Sequence, residues 1–102
     1  MDVPAAFPAT TRPFSVWVQL TDGNGVVRMK LVFEHVLPER PAFEVLLTVP
    51  FPVRFDNPNV VHEHEAVFEQ GIDLPCEGLY RVRLEAGGTT VMQRYFVART
   101  AT

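Results

Sequence analysis

The sequence predicts an all-β fold, a single antiparallel sandwich or small barrel of short strands. Three observations carry this expectation. Apolar residues recur with period two in most segments, the pattern of strands with one buried face. Turn-forming residues punctuate those segments, with nine prolines and six glycines spread along the chain instead of pooled into a linker. A length of 102 residues suits one domain with one modest core and leaves no room for a separate cofactor domain.

Residues 1–13 contain three prolines and read as an extended N-terminal arm preceding a β-domain over 14–98. Phe14-Ser15-Val16-Trp17-Val18-Gln19-Leu20-Thr21 alternates and forms the first strand. Asp22-Gly23-Asn24-Gly25 is a turn signal, because Gly and Asn tolerate positive φ. A second strand over 26–36 then closes a hairpin with the first. Pairing Asp22 with Gly25 sets Leu20 opposite Val27, Val18 opposite Met29, Val16 opposite Leu31 and Phe14 opposite Phe33, an all-apolar face. The other face holds Trp17 beside Lys30 and Gln19 beside Arg28.

Leu37-Pro38-Glu39-Arg40-Pro41 breaks the chain. Residues 42–55 form the next strand, with Phe43, Val45, Leu47, Val49, Phe51, Val53 and Phe55 on one side. Pro50 and Pro52 cannot donate to a ladder, so this strand is an edge, carries a bulge or leaves the sheet. A loop at Asp56-Asn57-Pro58-Asn59 leads into residues 60–70, which fit two patterns. A strand groups Val60, His62, His64, Ala66 and Phe68. A helix groups Val60, Val61, His64, Val67 and Phe68, with Asn59 as N-cap and Gly71 past the end. The strand is preferred because every neighbour is a strand.

After a connection over 71–78, strand 79–85 places Tyr80, Val82 and Leu84 on one side. Ala86-Gly87-Gly88 closes a hairpin onto strand 90–98. A two-residue turn sets Val82 opposite Gln93. A three-residue loop with a glycine bulge sets Val82 opposite Met92 and Phe96 on the core side, and its burial pattern is the better one. The count is six strands, or seven if residues 3–9 join an edge.

Composition narrows the function classes. Nine basic against twelve acidic residues give a net charge of −3, the wrong balance for gripping phosphates. No basic run suits an anionic membrane, and no apolar stretch approaches the ~20 residues of a membrane helix. The one cysteine, Cys76, allows no intrachain disulfide. The start Met1-Asp2-Val3-Pro4 has an acid where a signal peptide carries bases. A cytoplasmic protein that binds neither nucleic acid nor membrane is expected.

The stretch Leu74-Pro75-Cys76-Glu77-Gly78-Leu79-Tyr80-Arg81-Val82-Arg83-Leu84 resembles the corner before the sixth strand of immunoglobulin- and fibronectin-like sandwiches. There a turn glycine precedes a tyrosine whose hydroxyl bonds back to the turn backbone. Tyr80 takes that role by resemblance. Val82 stands where antibody domains have a disulfide cysteine, and Cys76 stands where an aspartate is common. Together with Phe51-Pro52-Val53-Arg54-Phe55-Asp56-Asn57-Pro58, Arg94-Tyr95-Phe96-Val97 and Leu20-Thr21-Asp22-Gly23, it makes residues 14–98 resemble an uncharacterised bacterial family of small immunoglobulin-like domains. The resemblance implies a single immunoglobulin/fibronectin-like antiparallel β-sandwich of six or seven strands. It transfers no catalytic residue.

His62-Glu63-His64-Glu65 puts two imidazoles on one strand face at metal-ligand spacing, with His35 as a third candidate ligand if their strands are close. The bland reading, half-exposed histidines near a sheet edge, is favoured, and no cofactor is expected. Ser15, the sole serine, sits inside a strand without a nucleophile elbow. Cys76 lacks a helix N-terminus to activate it and reads as a turn cysteine. There is no phosphate loop. Glu34, Glu63 and Glu65 read as solvated carboxylates.

Trp17, between core-facing valines, points outward. Arg81 and Arg83 also point outward; with Arg28 and Lys30 they make a basic patch, or they pair with Glu63, Glu65, Glu69 or Glu85. Trp17, Lys30, Arg81 and Arg83 are therefore the candidate interaction surface. The expected function is a non-enzymatic binding or assembly module that meets a protein partner or forms a homo-oligomer. One alternative is a small metal-binding protein or metal-dependent enzyme using His62 and His64. Another is carbohydrate or other small-ligand binding in a groove lined by Trp17 and Tyr95.

Overall fold

A computed structural model of the protein describes residues 2–3, 6–20, 25–37, 42–56, 59 and 61–100. These residues are all-β. Six long strands lie where alternation places them: β3 (Phe14–Leu20), β4 (Gly25–Leu37), β5 (Ala42–Phe55), β6 (His62–Phe68), β8 (Gly78–Ala86) and β9 (Thr89–Thr100). Three two-residue strands join them: β1 (Asp2–Val3), β2 (Ala9–Thr10) and β7 (Asp73–Leu74). The ambiguous 60–70 segment is a strand over its central residues. The expected turn at Asp22-Gly23-Asn24, and residues 38–41 and 57–58 of the expected breaks, lie outside the described residues. No helix among the described residues is long and apolar enough to cross a membrane.

Strands β1-β9-β8-β4-β5 form one sheet, antiparallel except for β1 on β9, while β3 pairs with β6 and β2 with β7. The β3–β6 ribbon lies over the larger sheet. The Phe14 ring sits 6.1 Å from Phe33, His64 stacks 4.2 Å from Phe51, and His62 lies 4.9 Å from Phe55. β3 therefore covers β4 and β6 covers β5, with the core between the layers. Tyr80, Phe33 and Leu74 are its most buried large side chains.

This corrects the expected β3–β4 hairpin. β3 pairs with β6, so Trp17 faces Glu65 and Gln19 faces Glu63, while Lys30 lies between Pro50 and Glu85 in the other sheet. Alternation fixes which face of a strand is apolar, not which strand lies beside it. Phe14 and Phe33 do meet, but across the core instead of side by side.

β5 is an edge strand, one of the three arrangements its prolines allow. A bulge interrupts its pairing with β4: Phe33 faces Leu47 but Glu34 faces Val45, which leaves Leu46 as the extra residue. The bulge reverses the face of the residues before it. Phe51, Val53 and Phe55 are buried, but Phe43 and Val45 emerge on the outer side.

The β8–β9 hairpin turns through Gly87 and Gly88, both with positive φ (58° and 87°), so the turn has two residues. The bulge lies in β9 at Val91, beyond the turn, and sets Val82 opposite Arg94 and Leu84 opposite Met92. Phe96 faces the core, as expected, stacked 5.5 Å from Tyr80.

The N-terminal arm is pinned at two places. β1 runs along the end of β9, and Thr11 clamps the loop before β7: the Thr11 amide donates to the Ile72 carbonyl at 2.9 Å, and the Ile72 amide donates to Thr11 Oγ1 at 3.0 Å. Gly71 allows this approach. Its φ is 67°, and a side chain there would collide with the Thr11 carbonyl oxygen.

Candidate functional site

The outer face of the five-stranded sheet carries the densest arrangement of charge. Register aligns Glu34 on β4 with Arg81 on β8. Glu34 is almost fully buried, and its Oε1 accepts from Arg81 Nε and Nη2 at 3.0 and 2.8 Å and from Arg83 Nε at 2.8 Å. Arg83 also pairs with Glu85, and the Arg81 guanidinium lies 3.5 Å over the Phe43 ring. Burial alone lowers the Arg83 pKa, but the bonds to Glu34 and Glu85 outweigh it and hold that guanidinium above its ordinary range. A carboxylate buried this deeply persists only because several charge-assisted bonds replace its water.

Arg81 and Arg83 thus lie on the predicted face, but their charges are turned along the sheet toward Glu34. The sequence reading missed Glu34 as their centre. It is the acid inside the apolar run from Leu31 to Val36, a position where a solvated carboxylate is out of place. Lys30 is exposed farther along the same face. Around the ion cluster, Phe43, Val45, Leu79, Tyr95 and Val97 are all exposed apolar residues, with Tyr95 at 51%.

Trp17 is separated from this group. It is 65% exposed on the outer side of the β3–β6 ribbon, while Tyr95 is on the outer side of the other sheet. The two rings therefore do not line one groove. Beside β3 runs a different groove of about 170 Å³, where the inner face of β9 extends past the ribbon; Trp17, Val82, Leu84, Met92 and Arg94 are among its walls.

The histidines divide between two places. His62 and His64 point inward onto Phe55 and Phe51, and His62 Nε2 is buried without a hydrogen-bond partner among the described residues. His35 lies six residues along β4 from Met29, the residue that faces Phe51, a distance of about 20 Å along the strand. Among the described residues, no group of three His, Cys, Asp or Glu side chains is placed to hold a metal ion.

His35 instead stacks 4.8 Å from Tyr80, with its Nε2 3.4 Å from Cys76 Sγ. Tyr80 bonds the turn as the resemblance implies: its hydroxyl donates to the Cys76 carbonyl at 2.5 Å and accepts from the Cys76 amide at 3.3 Å. Desolvation by burial pushes the Tyr80 phenol up to about 12. Which histidine meets Cys76 could not be read from the sequence, because His35 and Cys76 are far apart in the chain. They meet because His35 faces Tyr80 across the β4–β8 ladder, four residues after Cys76.

No protein family matches the chain, and no curated protein or solved structure is significantly similar to it.

Proposed function

We propose that the protein is a non-enzymatic binding or assembly module, a cytoplasmic immunoglobulin-like β-sandwich that works through protein–protein contacts. Two features support the immunoglobulin-like part. The order β9-β8-β4-β5 facing a β3–β6 ribbon parallels the G-F-C-C′ and B–E arrangement of such domains, and Tyr80 closes the corner before β8.

The outer face of the five-stranded sheet carries the functional part. Its buried charges are satisfied within the chain, and exposed Phe43, Val45, Leu79 and Tyr95 surround them. A partner covering that face removes apolar area from water without having to strip a free charge. Size-exclusion chromatography with light scattering tests this, together with capture from lysate. The wild type should form an oligomer or retain a partner, and Tyr95→Asp should lose the association with its melting temperature unchanged. A wild-type monomer that retains nothing sensitive to Tyr95→Asp would overturn the reading.

A further inference from the structure

The structure leaves four long strand edges unpaired among the described residues, and they are not equivalent. The β5 edge is blunted by Pro50, Pro52 and the Leu46 bulge, and the β6 edge carries Glu63 and Glu65. The β9 edge, paired by β1 only at Arg99 and Thr100, carries Arg94 and the Val91 bulge. These are ordinary defences against pairing with another chain. β3 has none of them. Phe14–Leu20 holds no charged residue, no proline and no bulge, and its described pairing is with β6 alone.

The β3 edge is also recessed. The ribbon covers β4 and most of β8, where Leu84 is almost fully buried, while the inner face of β9 continues past it for roughly one strand spacing, or about 5 Å. The floor of this step is Met92, 45% exposed, with half-buried Val82 beside it and buried Leu84 forming the back wall. Arg94 closes the row: facing Val82 across the hairpin, it donates only to the Gln93 carbonyl at 3.0 Å among the bonds described.

The step also selects the occupant. A second copy pairing β3 to β3 would be related by a two-fold axis perpendicular to the sheet. Its own five-stranded sheet would then occupy the volume that β8 and β9 already fill. The arm of the same chain is engaged elsewhere, on β9 and β7. What fits is a lone strand, unbacked by a second layer.

We propose that β3 accepts one extended segment of another polypeptide, hydrogen-bonded along Phe14–Leu20, with apolar side chains at alternate positions against Val82 and Met92 and a carboxylate facing Arg94. This rests on the reading of the protein as an interaction module and gives that module a second surface, separate from Tyr95. Main-chain bonds supply affinity and the alternate side chains supply selectivity, as in other strand additions. Met92 suits an adaptable floor, being unbranched and polarizable.

The test uses three nine-residue peptides: alternating Val and Thr with a central Glu, the same with a central Lys, and the Glu peptide with alternate prolines. Trp17, the only tryptophan, reports binding at the edge by fluorescence. Hydrogen exchange over residues 14–20 reports the added ladder. The Glu peptide should bind at least about tenfold tighter than the Lys peptide, the proline peptide should not bind, and Arg94→Glu should invert the charge preference. Equal binding of all three peptides, or no binding of the Glu peptide at millimolar concentration, would overturn the proposal. So would protection of residues 14–20 that rises with protein concentration before peptide is added, since the occupant is then a second copy. Repeating the titration with Tyr95→Asp separates the two surfaces: peptide binding that survives there, without Tyr95-dependent association, sinks the outer-face reading alone.

Discussion

The two ends of the core are closed to different degrees. At one end, Tyr80 is 1% exposed, Leu74 and Ala98 are equally sealed, and the arm is pinned over them through Thr11, Ile72 and the β2–β7 pair. At the other, the same two strands reach Leu84, still 3% exposed, and Met92, which on the outermost long strand is 45% exposed beside an unguarded edge. The layers and the strands are the same at both ends. The difference is a short segment of chain that lies over one end and not the other. Burial in this fold is therefore decided by what lies across the strands as much as by the strands themselves.

The contrast predicts a gradient in the cost of substitutions. The largest effect is expected at Glu34, near the sealed end. Glu34→Ala leaves two partly buried guanidiniums without their shared carboxylate and should cost about 4 kcal/mol in chemical denaturation. Gly71→Ala comes next. Its positive φ and its overlap with Thr11 should together cost about 3 kcal/mol, read in the same way.

Tyr80→Phe removes both bonds to Cys76 and should cost about 1–2 kcal/mol at neutral pH. The same substitution has a pH signature. The folded phenol ionises near 12 and the unfolded one near its ordinary value of 10. Between those values the unfolded state holds fewer protons, so stability falls as pH rises. Thermal melts from pH 9 to 12 should show that decline in the wild type and a shallower one in Tyr80→Phe. The smallest effect is expected at the open end, where Met92→Ala should cost less than about 1 kcal/mol, well below a buried Met→Ala change. A cost at Met92 as large as that at Gly71 would show that the two ends are equally closed in solution, and the contrast would fail.

The sequence was informative about strands and poor about neighbours. Period-two alternation located five of the six long strands, because it is a local property of the chain; β6 fitted a helix as well and was settled by its strand neighbours, and the Tyr80 corner came from a resemblance of the Gly78-Leu79-Tyr80 stretch. The partner of β3 was not legible: Val16 and Val18 prefer a covered face whether β4 lies beside or beneath them. Nor was the Leu46 bulge, a single residue that moves Phe43 and Val45 from core to surface without altering the written alternation. The Glu34 cluster was hidden for a related reason. Its arginines lie 47 and 49 residues away, and only the β4–β8 register brings them together.

That cluster has a consequence for how the sheet assembles. Arg81 and Arg83 are two residues apart on one strand, so both reach the same carboxylate only in a single alignment of β4 and β8. A slip by one residue turns both guanidiniums to the inner side, against Leu31 and Phe33 of β4, where an unpaired charge is most costly, and turns Leu84 out to solvent. The wrong alignments are penalised far more than the right one is rewarded. Glu34 acts on the sheet as a parity check, rejecting every odd-numbered error in the pairing of its two central strands.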